Sequence, residues 1–240
     1  MGDDKLKEPV DAILSEARSA KFLFHRQVLH AALLVLLVSV GYALAAPALG
    51  PCDTPLLGLC DCGWFWLTLG VAVVHQLLVW LVFRGQLGWG VLTRLFGHRD
   101  LLVWGSIFIP LLIARPLATL GIAIADRGSL ALPFWLSISL AVVLLVPATY
   151  AMYSVIRFFG IPRALGGDHF RLRYRRMPMV RKGAFAWTSN AMYLLVFLGL
   201  WSIAFITRSQ VALVAALFQH AYVWVHFYCT EKPDMDLMYG

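Results

Sequence analysis

The stretch from Gly166 to Gly240 collects residue types that could do polar chemistry beside a membrane. It opens with Gly166-Gly167-Asp168-His169. Glycines let a backbone approach a ligand closely, and a following carboxylate can accept from a ribose hydroxyl or an amine. A Gly-Gly turn with an Asp is also common in ordinary loops. Arg171, Arg173, Arg175 and Arg176 follow. Such a run reads by default as an interfacial anchor. The sharper reading is a clamp for a carboxylate or lipid phosphate, with Arg173 and Arg176 as candidate substrate contacts. Asn190-Ala191-Met192-Tyr193 then leads into apolar sequence that ends in Thr230-Glu231-Lys232-Pro233.

On a helix, His220, Trp224, Phe227 and Glu231 share one face, and Gln219, Val223, His226 and Thr230 form the neighbouring stripe. A polar-aromatic face turns into the bundle or toward a ligand. For His220 the ordinary alternative is an interhelical hydrogen-bond network. For Glu231 it is a solvated charge at a helix end. Arg115 precedes Pro116 deep in another apolar run. Ionisable groups at that depth are candidate functional residues, with snorkelling to the interface as the ordinary alternative. His75 and Gln76 are its nearest expected partners on topological grounds. Cys52, Cys60 and Cys62 share one connection, where either a disulfide of Cys52 with Cys60 or Cys62, or free thiols, is expected. No histidine accompanies them, and no metal site is expected.

These groups need elements to position them. The chain is 60% hydrophobic and 14% charged, which places it among membrane proteins. Apolar runs of membrane length predict about six transmembrane helices: 28–49, 64–83, 101–125, 130–157, 190–207 and 210–230. They lack the period-two alternation of barrel strands, so the expected class is an all-α integral membrane protein. Alternate connections carry 17 and two of the 20 Lys and Arg residues. The positive-inside rule then puts both termini in the cytoplasm. The net charge of +7 reflects that topology and attraction to anionic lipid, and no nucleic-acid module accompanies it. Ala43-Leu44-Ala45 would suit a cleavage site, but the polar lead before it is long, so an uncleaved first span is expected. Three regions follow: an amphipathic lead-in over 1–27 on the cytoplasmic membrane surface, a four-helix membrane region over 28–158, and a catalytic region over 159–240. The connection 159–188 is long enough to expect a function for it.

The ordered motifs resemble the integral-membrane S-adenosylmethionine-dependent methyltransferases of the phosphatidylethanolamine and isoprenylcysteine methyltransferase superfamily, and most closely the phospholipid branch. The resemblance rests on Gly167-Asp168-His169-Phe170, then Asn190-Ala191-Met192-Tyr193, then Glu231-Lys232-Pro233 with Met235, Tyr239 and Gly240. Ala191 stands where the family has proline, and Lys232 where it has a second glutamate. The Arg-His-Pro of the isoprenylcysteine branch is replaced by Ser189-Asn190-Ala191.

The resemblance implies S-adenosylmethionine at the cytoplasmic ends of the last helices, near Gly166, Gly167, Asp168, His169, Asn190, Met192, Tyr193 and Glu231. The acceptor would be the amino headgroup of a membrane phospholipid, with Glu231 or His220 taking its proton. Trp224 would hold the cation, and Arg115, Arg173 and Arg176 the rest of the acceptor. Alternatives are another hydrophobic acceptor, such as a prenylcysteine carboxylate or a thiol, and a non-catalytic transporter or assembly subunit. A transporter would favour repeated halves; no repeat is visible. A reductase using a nicotinamide cofactor would need a ribose or phosphate site that the sequence does not assign.

Overall fold

A computed structural model describes residues 12–51 and 55–240. The described residues form helices and no strand. Long apolar sequence makes the main elements: α1 (Gln27–Ala45), α2 (Asp61–Trp89), α3 (Asp100–Ala125), α4 (Phe134–Ser154), α5 (Leu198–Thr207) and α6 (Gln210–His226), followed by a short α7 (Lys232–Tyr239). With their helical extensions, five stretches are long and apolar enough to cross a membrane: Ala20–Ala45, Asp61–Trp89, Val91–Ala125, Phe134–Phe159 and Gln210–Tyr239. The protein is a multi-pass membrane protein.

The expected span over 190–207 is corrected. The apolar helix there is Met192–Thr207. At 1.5 Å per residue it is about 24 Å long, against about 30 Å of hydrocarbon. It begins with a π-helical turn, Met192–Val196, and packs between α4 and α6. Burial against neighbours, not length, secures it in the bundle.

The connections gather at two ends. At one end Asp126 Oδ2 accepts from Ser209 Oγ at 2.6 Å and from the Val211 amide at 2.9 Å, tying the connection after α3 to the start of α6. Ser209 also caps α6 by accepting from the Ala212 amide at 2.9 Å. Cys60 in the connection before α2 is disulfide-bonded, while Cys62 and Cys229 are free; the expected partner Cys52 lies outside the described residues.

At the opposite end the long connection 159–188 folds into short helical turns. Trp104 Nε1 donates to the Leu165 carbonyl at 3.0 Å. Arg171 grips Asp100 with both terminal nitrogens, at 2.6 and 2.8 Å. The described part of the lead-in packs on α2: Leu14 N donates to Leu87 O at 2.9 Å, and Ala17 is buried. Residues 1–11 of that expected element lie outside the described residues.

Candidate active site

Pro233 explains how the end of α6 is built. Proline has no N–H and crowds the carbonyl four residues back, here Cys229. The ladder opens into a π-helical turn over Phe227–Glu231, and π turns leave carbonyls in search of donors. Arg84 supplies them. Its Nη2 donates to Cys229 O at 3.0 Å and Thr230 O at 3.3 Å. Its Nη1 reaches the carbonyls of Phe22, Leu23 and His25, at 3.1, 3.0 and 2.8 Å. Its Nε donates to Asp234 Oδ1 at 2.9 Å, with both side chains fully buried. Arg26 Nη1 takes the Tyr228 carbonyl at 3.0 Å. Arg84 falls one residue past the expected span 64–83 but lies inside α2, where it locks the lead-in and α6 together.

This lock aims Glu231 at α5. Tyr193, on the π turn that opens that helix, donates its hydroxyl to Glu231 Oε2. His226 Nε2 lies 3.5 Å from Glu231 Oε1. Trp224 and Phe227 pack on the Tyr193 ring, with centroids 6.0 and 5.6 Å away. The carboxylate is thus held on one oxygen and faces an imidazole with the other, inside an aromatic rim.

A second cluster stands beside it. Asp168 Oδ1 meets His169 Nδ1 at 3.0 Å, and Tyr239 donates its hydroxyl to Asp168 Oδ2 at 2.9 Å. His169 Nε2 lies 3.7 Å from Asp234 Oδ2. Burial disfavours the His169 cation, but the neighbouring carboxylates of Asp168 and Asp234 outweigh it and hold its pKa up at about 9. Burial likewise pushes Asp168 up, yet the His169 charge and the bonds from His169 and Tyr239 bring it down to about 2. Asp168, His169 and Asp234 all lie within electrostatic reach of Glu231.

Gly166 and Gly167 serve this cluster by packing. Gly166 has φ +74, and a Cβ there would fall 2.2 Å from the Phe83 ring. A Cβ on Gly167 would fall 2.6 Å from the Pro162 carbonyl. The turn therefore fits tightly onto α2, where His169 stacks on Phe83 with ring centroids 4.1 Å apart. The close approach expected for a ligand is made here by the protein itself.

The structure brings Asp168, His169, Tyr193, Trp224 and Glu231 to one mouth, and separates other expected residues from it. His220 sits eleven residues before Glu231, roughly 16 Å along the helix, with its ring hydrogen-bonded to the backbone of Tyr193. It accepts from Trp201 Nε1 at 3.2 Å and stacks on Phe197. His226, on the neighbouring stripe, is the imidazole that meets Glu231. Met192 packs against the buried cluster that contains Ala151, Val155 and Phe185. The Asn190 carbonyl accepts from the Tyr193 amide at 3.0 Å, which places Asn190 at the base of the Tyr193 turn.

The arginine run divides. Arg171 and Arg175 are buried; Arg175 Nε donates to the Asp168 carbonyl at 2.7 Å, and its Nη2 to that of Ala12. Arg173 and Arg176 are exposed. Arg115 lies deeper in the bundle, with Nε donating to Gln219 Oε1 at 3.0 Å and the guanidinium over the Phe197 ring at 4.8 Å. Its hydrogen-bond partner is Gln219, not the expected Gln76 or His75.

Residues 136–240 match the family model of the phospholipid methyltransferases. That segment contains Asp168, His169, Tyr193, Trp224, His226 and Glu231, and excludes Arg84 and Arg115. The chain is similar over this segment to a family of membrane methyltransferases, as the motif order implied. No curated protein and no solved structure matches the chain.

Proposed function

We propose that the protein transfers a methyl group from S-adenosylmethionine to the amino headgroup of a membrane phospholipid, phosphatidylethanolamine or its methylated derivatives. The observation that carries this reading is Glu231. Its carboxylate stands inside the segment similar to phospholipid methyltransferases, held by Tyr193, facing His226 and rimmed by Trp224 and Phe227.

The residues at the mouth fit a cationic donor. Three carboxylates, Asp168, Asp234 and Glu231, converge there, and Asp234 Oδ2 is buried with no hydrogen-bond partner among the described residues. Asp168, Asn190, Tyr193 and Glu231 are the groups assigned to hold the donor, on the turn shaped by Gly166 and Gly167. When bound, S-adenosylmethionine supplies a methyl group carried on a positively charged sulfur. Holding the reacting groups in line and out of water is then the main task of the protein.

An ammonium acceptor must lose a proton before its nitrogen can attack. Glu231 accepts that proton, and the Tyr193 hydroxyl keeps the carboxylate aimed while it does so. The faces of Trp224 and Phe227 hold the methylated ammonium by cation–π attraction. Arg173 and Arg176 draw anionic headgroups to the mouth. The basic connections share the mouth's end of the bundle, which supports a cytoplasmic site.

Lipid mass spectrometry on cells expressing the protein and fed labelled methionine tests this reading. Label is expected in the headgroups of phosphatidylcholine or its mono- and dimethyl precursors. Aminophospholipids free of extra label, with the protein present in the membrane, would refute it.

A further inference from the structure

Nine buried side-chain nitrogen or oxygen atoms lack a hydrogen-bond partner among the described residues, and seven of them belong to one cluster. They are His30 Nε2, both ring nitrogens of His75 and of His226, Arg115 Nη2 and the Tyr222 hydroxyl. The cluster lies where α1, α2, α3 and α6 meet. The His30 ring is 5.5 Å from Tyr222 and 5.7 Å from His226. Arg115 acts electrostatically on His75, Tyr222 and His226.

Arg115 is the unusual member. It is 4% exposed, carries a fixed positive charge, and pairs with no carboxylate among the described residues. Gln219 takes its Nε and is held in turn on Thr119 Oγ1 at 2.8 Å. That relay fixes the guanidinium without neutralising it. A buried charge without a counter-charge costs several kcal/mol. Donors surround it: a hydroxyl and imidazoles that can each present an N–H. Such a set lacks an anion.

We infer that this cluster of unpartnered donors binds the phosphate of the acceptor lipid, on Arg115 Nη2, the Tyr222 hydroxyl and His30 Nε2. The inference rests on the phospholipid reading above and gives it a headgroup site. His226 stands one helical turn beyond Tyr222 and 3.5 Å from Glu231, so a phosphate at Tyr222 directs the amine toward Glu231. The acyl chains have a place as well. His30 also lines an open apolar groove of about 410 Å³ along α1 and α2, with Leu34, Leu77 and Trp80. His30, His75 and Arg115 lie outside the segment that resembles the methyltransferase family, and Tyr222 and His226 lie inside it.

Binding of dioleoyl phosphatidylethanolamine to the full chain in detergent, without any methyl donor, tests the inference. Dioleoylglycerol and inorganic phosphate are the comparison ligands. The phospholipid should saturate the protein, and dioleoylglycerol, with the same chains and no phosphate, should bind at least about tenfold more weakly. Arg115→Gln and Tyr222→Phe should each weaken phospholipid binding about tenfold. Tyr222→Phe removes a single oxygen and keeps the charge, so the test survives if Arg115→Gln fails to fold. Equal binding of dioleoylglycerol, or unchanged phospholipid affinity in Tyr222→Phe, would overturn the inference. So would saturation by inorganic phosphate with no response to the lipid. Methyl transfer can fail while this binding stands, because no donor is present. Methyl transfer with unaltered affinity in both variants would sink the inference alone.

Discussion

At the mouth, charged groups come in partners. Asp168 is held by His169 and Tyr239, Asp234 by Arg84, Glu231 by Tyr193, and Asp100 nearby by Arg171. In the middle of the bundle, Arg115 has a neutral amide, an aromatic face and neighbours with idle donors. Arg84, Asp234 and Asp100 are as deeply buried as Arg115, so burial alone does not set the difference. A paired network holds its geometry before any ligand arrives, with Asp234 Oδ2 left over at the mouth. An unpaired charge among unused donors is complete only with a ligand. The two regions should therefore respond differently to mutation: the mouth in stability and turnover, the Arg115 cluster in affinity.

The largest effect should come from Glu231→Gln, which keeps the shape and removes the base. A loss of about a hundredfold to ten-thousandfold in methyl transfer is expected, with the unfolding midpoint little changed. Turnover assays at saturating donor would show it. Wild-type turnover would reduce Glu231 to an ordinary helix-end charge.

Asp234→Asn should come next. It leaves Arg84 buried without its carboxylate, at a cost of about 3–5 kcal/mol. Thermal unfolding in detergent should fall sharply, and an unchanged midpoint would show that the carbonyls of the π turn suffice for Arg84.

The Asp168–His169 pair gives a pH signature. His169 is raised to about 9, so its stabilisation is complete below the ordinary histidine value and is lost as pH rises through about 9. Asp168 is lowered to about 2, so its share is present above the ordinary carboxylate value and is lost as pH falls toward 2. Unfolding midpoints measured across pH should decline on the alkaline side, and Asp168→Asn should flatten that decline. The same alkaline slope in both proteins would detach the pair from stability.

The smallest effect belongs to the exposed arginines. Arg173→Ala and Arg176→Ala should each weaken association with anionic vesicles by about 1 kcal/mol, and added salt should erase the difference. Flotation with vesicles at low and high salt measures it. A salt-insensitive loss would mean that these side chains pack instead of steering.

The long apolar runs made the helical bundle legible in the sequence, because hydrocarbon-length segments leave few alternatives. The motif order also led to the segment that matches phospholipid methyltransferases. Tertiary pairing was not legible. Periodicity placed His226 one stripe away from Glu231, but the π turn forced by Pro233 rotates the helix end and brings them together. Pro233 was the available signal, since it frees the Cys229 carbonyl that Arg84 then takes. Arg84 falls outside the expected span 64–83, and nothing local predicts its carboxylate partner 150 residues away. The alternation of buried Arg171 and Arg175 with exposed Arg173 and Arg176 likewise depends on partners that the sequence does not display. The length of the fifth span was overread, because an apolar composition shows what can be buried and not whether lipid or protein covers it.

Incorporation of labelled methyl from S-adenosylmethionine by the purified chain in phosphatidylethanolamine vesicles, with phosphatidylglycerol vesicles and Glu231→Gln as controls, tests the central claim most directly. Label in the ethanolamine headgroup, absent from phosphatidylglycerol and greatly reduced with Glu231→Gln, is the predicted result. Labelled donor left unconsumed by the folded wild-type protein in phosphatidylethanolamine would contradict it.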